Sequence, residues 1–149
     1  MTVPTTRDVL NRLLAIEYRS LPIYLMDGSP WVPRGAVPAA ETLRLMVADQ
    51  QAMAGRIAEQ VLERYERVDY GKFPMWFTGV NDCSLEYLIG VIIEELKKDI
   101  VSIERCVADL QYDLPARSLA EETLGLARGH LESLEELTRP GTAVAGAPA

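Results

Sequence analysis

Histidine occurs once in this 149-residue chain and cysteine twice. There is no CxxC pair, no Ser/His/Asp arrangement and no glycine-rich phosphate loop, so nucleophilic and nucleotide chemistry have no carrier. Cys83 and Cys106 fall on one expected helix, roughly 35 Å apart along its axis, too far to pair with each other. Free thiols and the absence of a signal-peptide-like start point to a reducing, cytoplasmic setting. Basic runs are missing and the net charge is −7, which argues against nucleic acid as a partner. The longest apolar stretch, Leu88 to Ile93, is far too short to cross a bilayer, so a membrane role is not expected. No strand-like alternation persists anywhere and no short-period repeat is visible. What is present is a chain that is 48% hydrophobic, enough for a real core and too much for a disordered segment.

That apolar content is arranged with helical periodicity, and the expected class is all-α. Residues 1–138 read as one domain and 139–149 as a flexible, small-residue tail. The first helix is expected from about Thr6 to Leu21, capped by Thr5 with Asp8 and ended or kinked by Pro22. Leu10, Leu13, Leu14, Glu17, Leu21 and Tyr24 share its inner face. A Gly- and Pro-rich connection from Gly28 to Pro38 follows. The second helix is expected from about Pro38 to Val68, with Leu43, Met46, Gln50, Met53, Ile57 and Val61 inward. The stretch 70-YGKFPMWFTGVND-82 then breaks the pattern. Its length of about 14 residues can span up to ~45 Å, so it can run the length of a bundle as a crossover. Plugging one end of the core with its aromatics is the other reading.

Asp82 is the expected N-cap of a third helix that runs to about Leu110. Asp113, with Pro115 in the first turn, starts the fourth, which runs to about Leu137. On that last helix the stripe Leu119, Thr123, Leu126, His130, Leu134, Leu137 puts the lone imidazole inward. Glu17, Gln50 and Glu95 (or its neighbour Glu94) lie on or beside the inner faces of the other three. An inward histidine with inward carboxylates on other helices is how helical bundles hold metal.

With these residues in place, the chain resembles the ferritin-like superfamily, of the bacterioferritin and rubrerythrin type. The resemblance rests on 13-LLAIEYRSLPIYL-25, 48-ADQQAMAGRIAEQV-61, 92-IIEELKKDIVSIERCVADL-110 and 124-LGLARGHLESLEEL-137. It implies a four-helix bundle with one long crossover between the second and third helices. It also implies a di-metal centre of one Glu and one Glu-x-x-His motif from each half. Glu17, Glu95 and His130 occupy three of those ligand positions. Gln50, Met53 and Ala127 stand at the other three, where the family has Glu, His and Glu. Gln50 offers only a neutral oxygen, Met53 a soft thioether poorly matched to iron, and Ala127 nothing.

The resemblance therefore leaves two expectations open. One is a ferritin-like bundle with an eroded di-iron centre and no cofactor, acting as a structural or interaction module. The other is a metal protein holding iron or manganese at a weak or mononuclear site of Glu17, Glu95 and His130, with redox chemistry there. Either way the expected partners are a second copy of the chain or another protein. Haem on the methionines Met46 or Met53 is the weaker idea, because a Met stripe at helical spacing is usually core.

Overall fold

The computed structural model describes residues 4–27 and 37–139. Among them the chain is all-α: five α-helices and one 3₁₀ turn, with no strand. The helices are α1 (Thr6–Tyr18), α2 (Leu21–Asp27), α3 (Val37–Glu63), α4 (Leu85–Asp109) and α5 (Leu114–Leu137). The 3₁₀ turn is Met75–Val80. The expected tail after Arg139 and most of the Gly/Pro connection lie outside the described residues.

Local chemistry explains each boundary, including those the sequence pattern misplaces. Thr5 caps α1 as expected, its hydroxyl accepting from the Asp8 amide at 3.1 Å. The first helix does not continue to Leu21. Pro22 has no N–H and its ring would clash with the carbonyl four residues back, so α1 stops at Tyr18. Ser20 then starts α2, accepting from the Ile23 amide at 3.3 Å.

The third helix ends at Glu63 rather than near Val68, although no glycine or proline marks the place. Tyr65 takes a left-handed φ of 58°. Its amide reaches the Leu62 carbonyl, and the Glu66 amide reaches the Val61 carbonyl. This is a Schellman stop with tyrosine where glycine is usual.

Asp82 is not the cap of α4. Ser84, two residues on, accepts from the Tyr87 amide at 3.2 Å. Residues 81–83 belong to a turn closed by the Cys83 amide on the Val80 carbonyl. Cys83 therefore sits just before the helix, while Cys106 is buried within it. Asp113 caps α5 as expected, and a two-pronged ion pair ties it to Arg64 at the end of α3.

The packed pairs are α1 with α3, α4 with α5, α3 with α5 and α1 with α4. The core between them is built from the expected stripes: Leu10, Leu13 and Leu14 of α1, Met46, Ile57 and Val61 of α3, Leu88, Ile92 and Ile103 of α4, and Leu119 and Leu134 of α5 belong to one apolar cluster. Cross-links fix direction. Ser20 bonds Gln50 while Arg7 pairs with Glu66, so α1 and α3 are antiparallel. Arg12 pairs with Asp109 while Glu17 lies near Asp99, so α4 likewise opposes α1.

The segment from Arg64 to Phe77 lies along α1. Asn11 bridges it by donating to the Arg67 carbonyl and accepting from the Asp69 amide, both at 2.9 Å. Gly71, at φ 71°, sits so close to α1 that a Cβ there would lie 2.8 Å from the Ala15 Cβ. Phe73 and Phe77 then stack on Tyr24 of α2. Of the aromatics in this stretch, Phe77 is buried, whereas Tyr70 and Trp76 remain substantially exposed. Among the described residues no helix is long and apolar enough to cross a membrane.

Candidate functional site

Among the described residues four polar side chains are buried: Glu17 in the last turn of α1, Ser20 just before α2, Gln50 on α3 and Thr123 on α5. Thr123 is satisfied within its own helix, donating to the Leu119 carbonyl at 2.8 Å. Gln50 is held by the Ser20 hydroxyl, which donates to its Oε1 at 2.6 Å. Met53 and Ala127, at the two other positions where the resemblance asks for ligands, are both buried in the apolar core.

Glu17 is the most deeply placed carboxyl, 3% exposed. Burial, and then the nearby Asp99 carboxylate, push its pKa up to about 8. Asp99 on α4 is raised to about 7 by burial and by the neighbouring Glu95, with Lys98 pulling the other way. The two carboxyls titrate as a pair, and burial keeps a proton on it into the neutral range. With no cation beside it among the described residues, Glu17 is a neutral acid at neutral pH.

Glu95 is half-buried on α4 and pairs with the exposed Lys98 at 3.1 Å. Glu94, its alternative, faces outward and pairs with Lys97. So Glu17, Asp99 and Glu95 form one electrostatic group on the α1–α4 side. His130 is not part of it. Its Nε2 lies 2.9 Å from Asp49 Oδ2, at the margin between α3 and α5, and Asp49 is exposed. The His130 side chain, on the same face of α5 as the buried Ala127, is 12% exposed and partnered by Asp49 rather than by Glu17 or Glu95.

The three residues singled out from the sequence are thus brought to two places. Glu17 and Glu95 share the α1–α4 side, and His130 stands across the array with Asp49. Among the described residues no group of three or more His, Cys, Asp or Glu side chains is placed to hold a metal ion. A bridged di-metal centre needs several anionic carboxylates and two imidazoles around one point. The donors here do not fit it: the glutamine is committed to a serine, a methionine and an alanine stand at two other positions, and the single imidazole lies elsewhere.

Asp99 is the residue that sequence reasoning undervalued. It lies one turn beyond Glu95, which was visible, but its partnership with Glu17 is made across two helices. Neither thiol adds chemistry at the centre. Cys106 is buried, and burial raises its pKa above the ordinary thiol value despite the nearby Arg12 guanidinium. No family model, curated protein or solved structure matches this chain.

Proposed function

We propose that this chain is a ferritin-like four-helix bundle with one long crossover, in which the di-metal centre is eroded and a non-catalytic role remains. The role is structural or interactive, exercised on a second copy or a protein partner. Support for the fold reading comes from topology. The helices α3 and α4 both oppose α1, are not themselves a packed pair, and are joined by a segment that follows α1. A single long crossover produces such an arrangement.

The observation that carries the functional reading is the Ser20–Gln50 hydrogen bond, buried at the position where a metal-binding carboxylate would stand. A serine hydroxyl donating to a glutamine carbonyl is a self-satisfied pair, with no charge to offer a cation. Exposed apolar side chains fit an interacting surface. Leu62, Tyr65, Tyr112 and Leu114 gather at the end that the Arg64–Asp113 pair ties together. Met75, Trp76 and Tyr87 are exposed around the 3₁₀ turn and the first turn of α4.

Elemental analysis of protein purified from cells grown with added iron and manganese tests this. The expected content is far below one metal per chain, and stoichiometric metal would overturn the reading. A Gln50→Glu, Met53→His, Ala127→Glu triple variant that oxidises ferrous iron, beside a parent that does not, would mark the centre as lost. Sedimentation tests the interaction role. A strictly monomeric species over a wide concentration range, with no partner recovered, would count against it.

A further inference from the structure

A cavity of about 210 Å³ opens where the end of α1, the start of α2, the connecting segment and α4 meet. Its wall carries charge of both signs. Glu95 and Asp99 come from α4, Arg19 from the end of α1 and Lys72 from the connection, with Ser20 and Phe77 between them. Such a mixture in one small concavity is unusual for a mere packing defect, which would be apolar.

The basic side is partly preorganised. The Arg19 Nε donates to the Tyr70 and Gly71 carbonyls at 3.3 and 3.1 Å. Its guanidinium carbon lies 4.7 Å from the Tyr18 ring centre and 4.9 Å from that of Phe73. Stacked and tethered in this way, the cation loses little freedom on binding a ligand. Lys72 is exposed. Lys97 and Lys98 each pair with a glutamate of their own helix, whereas Lys72 pairs with no carboxylate among the described residues.

On the acidic side, Glu95 pairs with the exposed Lys98, a contact that water and salt weaken. Among the described residues Asp99 has no cation within ion-pair distance, and it is partly buried against Glu17. An ammonium group arriving there meets two carboxyls that the protein itself leaves poorly compensated.

We propose that this cavity binds a small zwitterion of the amino-acid class, its ammonium group on Asp99 and Glu95 and its carboxylate on Lys72 and Arg19. A simple amine would meet the tethered Arg19 and the Lys72 ammonium, and a simple carboxylate two acidic groups. A ligand with both charges answers both sides, and its apolar portion lies against Phe77. This site shares Glu95 with the ligand positions of the eroded centre and Ser20 with the pair that replaces it, but it stands whether or not the bundle ever held metal.

The test is thermal melting and titration calorimetry of the full chain against the twenty amino acids, followed by matched analogues of any that bind. For leucine the analogues are isoamylamine, which lacks the carboxylate, and 4-methylpentanoate, which lacks the ammonium. The expected result is that at least one amino acid raises the melting temperature while its two analogues do not. Lys72→Met and Asp99→Asn should each weaken binding by about tenfold or more, the loss of one charge-assisted contact. His130→Leu, on the far side, should bind as the parent does. Lys72 is exposed, so that variant remains folded and readable even if Asp99→Asn perturbs the helix array. The proposal is overturned if no amino acid binds at millimolar concentration. It is equally overturned if the amine alone binds as well as the amino acid, or if the Lys72→Met variant keeps the parent's affinity.

Discussion

Replacing Glu17 by glutamine removes a titration while keeping the shape of the side chain. In the folded chain this carboxyl has a pKa of about 8, against an ordinary value of 4.5. Between those two pH values the native state holds a proton that the unfolded chain gives up. Stability therefore falls as pH rises through this window. The penalty is absent below pH 4.5, grows steadily, and is complete above pH 8. At pH 7 the native state has resisted ionisation over about 2.5 pH units, which at ~1.36 kcal/mol per unit is about 3 kcal/mol.

The Glu17→Gln side chain is neutral in both states and has no such slope. The variant should match the parent near pH 4.5 and exceed it by about 3 kcal/mol at pH 7, or roughly 6–12 °C in Tm. Urea unfolding followed by circular dichroism, repeated from about pH 4.5 to 8.5, measures the difference directly. Any packing cost of the amide offsets the whole curve and leaves its slope untouched. Asp99 adds a slope of the same sign in both chains. Parallel stability curves for parent and variant across the range would refute the placement of Glu17 as a buried, protonated acid.

Three further outcomes follow from the helix ends and the histidine. His130→Leu should leave stability unchanged or raise it by about 1 kcal/mol in urea unfolding, because a leucine suits a side-chain place only 12% exposed and the one ion pair lost is to an exposed Asp49. A loss of several kcal/mol would mean that the imidazole is buried in a network. Asp113→Ala should cost about 1–2 kcal/mol, and Asp113→Asn clearly less, because Asn keeps the cap on α5 and loses only the ionic part of the bond to Arg64. Tyr65→Gly should raise stability by about 1 kcal/mol, relieving a left-handed tyrosine that is 98% exposed and has no packing to lose.

Much of the fold was legible because helical periodicity and capping chemistry are local. The inward stripe of α3, from Leu43 to Val61, is buried as its spacing dictates. Thr5 and Asp113 cap as their positions before apolar runs imply. The stop of α3 was not legible, since it rests on a tyrosine adopting a conformation that sequence rules reserve for glycine. The expectation of Asp82 as cap failed because Ser84 is an equally good capping residue and stands directly before the first buried position, Leu85.

The candidate site was less legible still. His130 lies on a stripe whose steps of three and four drift around the helix. Which side of that stripe faces inward depends on how closely the neighbouring helix approaches, and α5 turns the small Ala127 inward. The pairing of Glu17 with Asp99, and the cavity beside it, belong to contacts between elements far apart in the chain. No spacing within one helix encodes them.

The Asn11 bridge has a consequence for how the protein opens. One amide side chain closes both a donor and an acceptor of the connecting segment, and Arg19 closes two more carbonyls further along. The segment has almost no periodic structure of its own, so the Asp69 amide is protected from solvent exchange only while α1 is in place. Conversely, α1 cannot detach without exposing that amide. Helix and connection form a latch: a load applied between Arg67 and Gly71 is felt first by α1, while the two ends of the segment are held by α5 through Arg64 and by α2 through Phe73 and Phe77.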